Sequence, residues 1–305
     1  MNKLKGTFFN CFIAFVFFSF ASTLLNPALA AVDTEIDLTS EERLWLQGHS
    51  VIRLGVDPDW PPFDFIDEHG YHQGVAADFL RLIGKRLGIT FDLVENITWS
   101  EVLDQAKARQ LDVVSIAAQT PERSQYLSYS LPVISSHSVI VTNDQHGRIS
   151  NIQSLTDKKV GVVKNYSAAE LAKQKHPHLN YVEVDSVMDG LQKTVTGEID
   201  AFIDNLGVIG YLISEHSLTS LRIAGDAQLG SLELAFGIRN DWPELVSIIN
   251  KVLQRISAAE KKVIHDRWVP IKMGAVQGHE SSFFDEFGNW LLGGIVALVI
   301  LMILL

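Results

Sequence analysis

Between residues 51 and 268 the chain alternates two periodicities, and this alternation limits its fold more than any other feature. Short apolar runs of strand length, Val51-Ile52-Arg53-Leu54-Gly55-Val56, 90–94 and 112–115, are separated by amphipathic stretches of helix length over 75–87 and 100–108. Strand, helix and strand in repetition is the rhythm of a parallel sheet covered by helices. It restarts after a polar stretch at 143–148, with strands expected over 159–163, 180–184 and 201–203 and helices over 168–176, 187–196 and 206–214. Gly88 and Gly197 stand where helices stop. The pattern predicts an α/β fold of two lobes, with residues 51–141 and 233–270 in the first and 142–232 in the second. The run 232–238 is the strand expected to return to the first lobe, and helices over 243–256 and 258–268 close it. A lead-in helix over 41–47, capped near Thr39 or Ser40, occupies the segment 31–50.

The two ends carry a different pattern. Residues 1–30 read as a signal peptide: Lys3 and Lys5 begin it, an apolar run follows over 8–25, and Ala28-Leu29-Ala30 forms a small-x-small cleavage site. An uncleaved anchor is the alternative, since that run is about as long as a short membrane span. The only cysteine, Cys11, lies inside this segment, so the mature chain can form no disulfide and stands on its apolar core. Lys3 and Lys5 leave with the leader, which moves the formal net charge from −11 to −13 and argues against nucleic acid as a partner. At the other end, 287–305 holds no charged residue and reads as a membrane helix cut short, reached by a linker over 271–286. The expected location is a periplasmic domain anchored in a bacterial inner membrane.

The first strand runs into Asp57-Pro58-Asp59-Trp60-Pro61-Pro62-Phe63. Prolines cannot donate to a ladder and push the residue before them out of the helical region. The segment is therefore an extended loop at a strand's carboxyl end, where open α/β sheets place ligands. Thr120-Pro121-Glu122 has the cap, first-turn proline and first-turn acid of a new helix, with Arg123 in that turn. His176-Pro177-His178 lacks the spacing and companion ligands of a metal site, and no Gly-x-Ser-x-Gly elbow or base–nucleophile pair occurs. No metal, other cofactor or catalytic residue is expected.

The motifs fall in register with a known family. In order and spacing, the segment 55–63, the helix 74–87, Trp99 followed by Leu111-Asp112, Thr120-Pro121-Glu122-Arg123 and Gly161-Val162-Val163 resemble family 3 solute-binding proteins over about 50–270. Asp241-Trp242-Pro243-Glu244-Leu245-Val246 and 264–268 look most like the Venus-flytrap sensory modules of hybrid sensor histidine kinases and some diguanylate cyclases. The resemblance implies a two-lobed periplasmic binding protein fold of type II that closes on a small molecule. It further implies that Arg123 grips a carboxylate, that Trp60, Phe63 and Trp99 line the cleft, and that Asp57 reads the ligand's distal group. Ser167 would present the free amides of a helix start to the same carboxylate. On the residues alone, a surface ion pair, core aromatics, a solvated turn and a plain N-cap remain open for these positions.

Two places depart from the family. Lys164-Asn165-Tyr166 replaces a glycine-threonine pair, so Tyr166 is expected to fill part of the cleft. The register of the ammonium-binding aspartate holds Asn205, with Asp204 one place early, and a neutral amide holds an ammonium less well. A carboxylate without an α-amine thereby becomes a candidate beside the amino acids. The expected role is the sensory module of a membrane-anchored receptor, a binder rather than an enzyme, with room for a homodimer. The substrate-binding component of an ABC transporter is the alternative, and a cyclohexadienyl-dehydratase-like enzyme the remote third.

Overall fold

The computed structural model describes residues 36–143 and 149–268. The signal peptide, the 271–286 linker and the membrane helix expected over 287–305 lie outside the described residues, among which no helix is long and apolar enough to cross a membrane.

The chain enters through α1 (Ser40–Gly48), whose N-cap Thr39 accepts from the Glu42 amide at 3.1 Å while Glu42 accepts from the Thr39 amide at 2.8 Å. There follow β1 (Val51–Gly55), β2 (Asp59–Trp60), β3 (Asp64–Ile66), β4 (His72–Gln73), α2 (Val75–Leu87), β5 (Thr90–Leu93), α3 (Trp99–Lys107) and β6 (Val113–Ala118). Strands β5 and β6 flank β1 in parallel, and β6 is buried at every position, as a strand covered on both faces must be. The strands β2, β3 and β4 form a small separate sheet in the stretch that reads from the sequence as loop.

A single 3-10 turn over Arg123–Gln125 stands where the sequence suggests a longer helix; β7 (Leu127–Tyr129) begins two residues later and ends it. Then comes β8 (Ile134–Asn143) and, in the second lobe, β9 (Lys159–Val163), α4 (Ser167–Lys175), β10 (Asn180–Val184), α5 (Val187–Thr196), β11 (Ala201–Asn205) and α6 (Leu206–Glu215). The return strand β12 (Leu221–Arg239) is followed by α7 (Pro243–Arg255) and α8 (Ala258–Trp268). The strand order is β10-β9-β11-β8-β12-β6-β1-β5, with β7 also on β12.

Both passages between lobes are made by strands rather than by loops. From Ser138 to Thr142, β8 pairs antiparallel with β11, while from Ile134 onward it pairs with β12. Strand β12 is 19 residues long and pairs with β8 at its start and with β6 and β7 at its end. Its register shifts between Ile223 and Gly225 and between Asp226 and Ser231. These bulges explain why only 232–238 shows strand alternation in the sequence.

One apolar cluster runs from beneath the first lobe's sheet, through Phe63, Trp99, Val163 and Tyr166, to Phe202 and Val208 in the second lobe. A second cluster holds Ile140, Val160, Val162 and Ile203. Neighbours Phe202 and Ile203 fall in different clusters, so the two sets cover opposite faces of the second lobe's sheet.

A buried carboxylate ties the first lobe's strands. Asp112, 3% exposed, accepts from the Arg53 amide and Nε at 2.9 Å, from Arg53 Nη2 at 2.6 Å and from Arg239 Nη1 at 3.1 Å. Asp112→Ala removes the buried acceptor that both guanidiniums share, leaving Arg239 with Asp241 and Arg53 with the Arg109 carbonyl. We expect it to lower stability in urea unfolding at pH 7 by about 2–3 kcal/mol.

Candidate functional site

The site begins at the carboxyl end of β1. The Asp57 amide donates to Asp64 Oδ2 at 3.0 Å, and Asp64, fully buried, also accepts from Ser115 Oγ at 2.8 Å and meets His72 Nε2 at 2.6 Å. The Asp59 amide returns to Asp57 Oδ1 at 3.0 Å, closing a turn of the Asx kind. The amides of Val75 and Ala76 donate to the carbonyls of Pro62 and Phe63 at 3.1 and 2.9 Å, so the first turn of α2 holds the loop. Trp60 and Phe63 are thereby presented together, ring centroids 5.3 Å apart.

The first lobe adds Trp99, at the head of α3 behind its N-cap Thr98, and Arg123, 2% exposed. The guanidinium stacks over the Trp99 ring at 5.4 Å and donates through Nη1 to the Ala118 carbonyl at 3.2 Å. Facing them is the turn between β9 and α4. Asn165 has φ +61°, a left-handed conformation that aims its carbonyl at the first lobe. That carbonyl accepts from Trp99 Nε1 at 3.0 Å and from Arg123 Nη2 at 2.8 Å, while Asn165 Nδ2 donates to Ser100 Oγ at 2.9 Å. Tyr166 stands between Trp60 and Trp99, edge-on to both at 6.3 and 6.2 Å, and its hydroxyl donates to Asp57 Oδ2 at 2.5 Å.

Six of the sequence-selected residues, Asp57, Trp60, Trp99, Arg123, Tyr166 and Ser167, therefore line one cavity. It measures about 30 Å³, room for water and not for an amino acid. A recess of about 320 Å³ lies beside it, bounded by Asp59, Ser100, Lys164 and Tyr166 among others. Phe63 lies outside the cavity lining and reaches the second lobe, where a Cβ at Gly207 would meet its Cζ at 2.5 Å. Asp204 and Asn205 end β11, also outside the lining. Asn205 caps α6, its Oδ1 accepting from the Gly207 amide at 2.8 Å and from Ser136 Oγ at 3.1 Å. Its Nδ2 and Arg123 Nε are buried with no hydrogen-bond partner among the described residues, while the Trp60 indole lies close enough to Asp204 to favour its charged form.

Burial sets the charge of the cleft. It pushes the Asp57 carboxyl up to about 8, against the Tyr166 hydroxyl and the Asp59 amide, which pull the other way. It likewise raises Asp204 to about 7, and with the help of Asp57's charge holds the Tyr166 phenol well above its ordinary value. Near neutral pH the cleft thus sets beside Arg123 one carboxyl, Asp57, that is mostly protonated and one, Asp204, that is about half so.

Sequence reasoning overlooked Glu170 and the Asn165 carbonyl. Glu170 Oε1 accepts from Arg123 Nη2 at 2.9 Å across the lobes. In the sequence it is only an acid in the first turn of a helix, three residues after Ser167, and nothing local ties it to Arg123. Among the described residues no group of three or more His, Cys, Asp or Glu side chains is placed to hold a metal ion.

Two lobes joined by paired strands, with a buried arginine and aromatic rings in the cleft, define a solute-binding protein of the periplasmic kind. The chain belongs to the bacterial extracellular solute-binding proteins, family 3, whose model matches residues 52–271. It is 28% identical over 247 residues to the virulence sensor protein BvgS of Bordetella bronchiseptica, covering 81% of this chain and 20% of that protein. It is 23% identical to the sensor protein EvgS of Escherichia coli K12, covering 79% and 20%. This chain thus spans a fifth of the length of these sensor proteins. The crystal structure of the periplasmic VFT2 domain of Bordetella pertussis BvgS superposes with a TM-score of 0.70 at 25% identity, covering 77% of this chain and 100% of that one. An ancestral arginine-binding protein bound to arginine shares the fold, with a TM-score of 0.66 at 23% identity over 72% of this chain and 99% of that one.

Proposed function

We propose that this chain is the solute-responsive periplasmic part of a membrane-bound signalling receptor, and that its solute is a small carboxylate. The observation that carries the solute class is Arg123: a guanidinium sealed between the lobes and already bonded to a carboxylate across them. Asn205 stands in the register of an ammonium-binding aspartate, and Asp57 and Asp204, both raised by burial, give up their protons less readily than ordinary carboxyls. Keto acids and dicarboxylates are therefore favoured over ordinary amino acids. The sensor role is supported by the similarity to BvgS and EvgS and by the uncharged segment 287–305, which would hold the domain at the inner membrane. Solute closes the lobes only to the extent that it binds the closed form better than the open one.

Calorimetric titration of the intact chain with amino acids, keto acids and dicarboxylates tests the reading. At least one carboxylate binds, and Arg123→Ala weakens that binding by about tenfold to a hundredfold. Silence with every carboxylate, or equal affinity in the variant, overturns it. Delivery to an ABC permease is the competing role. An in-frame kinase or cyclase after the codon for Leu305 would decide for the sensor, and a neighbouring permease gene against it.

A further inference from the structure

The arginine at the cleft is not vacant. Glu170 sits in the first turn of α4, where the helix dipole favours a negative charge, and reaches across to Arg123 Nη2 at 2.9 Å. The same Nη2 takes the Asn165 carbonyl at 2.8 Å, so the second lobe supplies one carboxylate oxygen and one carbonyl oxygen to a single corner of the guanidinium. The Arg123 side chain is 3% exposed and that of Glu170 30%, which leaves the acid a path back to water. The cavity against Arg123, about 30 Å³, holds no space for a second carboxylate with a carbon skeleton, and Arg123 does not line the recess of about 320 Å³ beside it. Tyr166 on Asp57 and Phe63 against Gly207 add two further contacts between the same lobes.

We propose that Glu170 is an internal ligand: its carboxylate occupies on Arg123 the place of a solute carboxylate, holds the lobes together in the absence of solute, and sets which solutes can enter. The proposal rests on the reading of Arg123 as the solute's anchor. A tethered carboxylate competes at a high effective concentration, so a solute offering a carboxylate alone cannot displace it. A successful solute adds contacts that Glu170 does not make, on the Trp60 and Trp99 rings and on the unpartnered Arg123 Nε. Its apparent affinity is reduced by the fraction of molecules in which Glu170 has let go. Glu170 is in this sense a specificity filter as well as a latch.

The test is closure of the intact chain in a Cys11→Ser background, read by pulsed EPR between spin labels at Lys107→Cys and Gln192→Cys, both exposed and one on each lobe. Without solute the parent gives one short distance. Glu170→Ala shifts the population to longer distances, and Glu170→Gln, which keeps an acceptor oxygen and loses the charge, lies between. Sodium acetate returns Glu170→Ala to the short distance, sodium chloride at equal concentration does not, and acetate affinity in that variant exceeds the parent's by about tenfold or more. A Glu170→Ala chain that stays closed, or one that opens and responds equally to acetate and chloride, overturns the proposal. If acetate recloses the variant while no amino acid, keto acid or dicarboxylate binds either form, the internal ligand stands and the proposed solute class falls. If such solutes bind the parent and Glu170→Ala with equal affinity, the solute class stands and the internal ligand falls.

Discussion

Gly74→Ala melts about 10 °C below the parent in thermal unfolding followed by circular dichroism, whereas Gly88→Ala loses only about 3 °C. Both glycines have positive φ, +108° and +69°, so strain alone does not separate them. The difference is what a methyl group meets. At Gly88 no atom lies within 4 Å of the added Cβ. At Gly74 the Phe63 carbonyl oxygen lies at 2.5 Å, its carbon at 2.6 Å and the Asp64 nitrogen at 2.9 Å, all backbone. Gly74 also has ψ 179°, in a region open essentially to glycine alone. Relief would require α2 to withdraw from the loop, breaking the bonds from Val75 and Ala76 to Pro62 and Phe63. Strain and overpacking together amount to about 3–5 kcal/mol, against about 1 kcal/mol at Gly88. Equal melting points would show that the loop is not held as described.

Asp57→Asn changes the sign of its effect with pH. The folded chain keeps a proton on Asp57 up to about pH 8, while the unfolded chain releases it in the ordinary carboxylate range near 4. Between those values the native state binds the extra proton, so stability falls as pH rises. Asp204 acts in the same direction up to about pH 7. Each such proton contributes a slope of about 1.4 kcal/mol per pH unit. In Asp57→Asn one of the two contributions is gone. Urea unfolding at pH 5, 6, 7 and 8 is expected to show a variant no more stable than the parent at pH 5 and clearly more stable at pH 8. Parallel profiles for the two proteins would mean that Asp57 is ionised in the native state throughout.

The strands and helices of each lobe were legible because their apolar residues recur at regular strand and helix spacing. Ile52 and Leu54 lie buried on β1 with Val56 just past its end, and Val75, Phe79, Leu80 and Ile83 on the inner face of α2, and apolar spacing of that kind is readable from sequence alone. The passages between lobes were not. Strand β8 carries Ser135, Ser136, His137 and Ser138, and β12 passes through Gly225 and Gly230, residues that report nothing of the pairing that holds them. The cleft divides in the same way. Asp57, Trp60, Trp99 and Arg123 could be picked out because unusual residue types fall at family spacing. Glu170 could not, because its meaning comes from a residue 47 positions earlier that only the closed lobes bring within reach. The inward aim of the Asn165 carbonyl is likewise a property of one backbone angle and not of its side chain.

The second lobe is spliced into the first. The chain leaves through β8 and returns through β12, and the first lobe's helices are riveted to one another: Glu42 to Lys251, Arg86 to Glu260, and Trp268 to Asp78, with the Trp268 ring against Phe65. In mechanical terms the first lobe is a stator that holds both ends of the described chain, and the second is a rotor with no shaft except the two-stranded ribbon of β8 and β12. Under the proposed function, a closing motion of the rotor would reach Trp268 as torque through that ribbon or by direct touch at the cleft rim. Substitutions along the ribbon should uncouple the two bodies while leaving the grip of Arg123 intact.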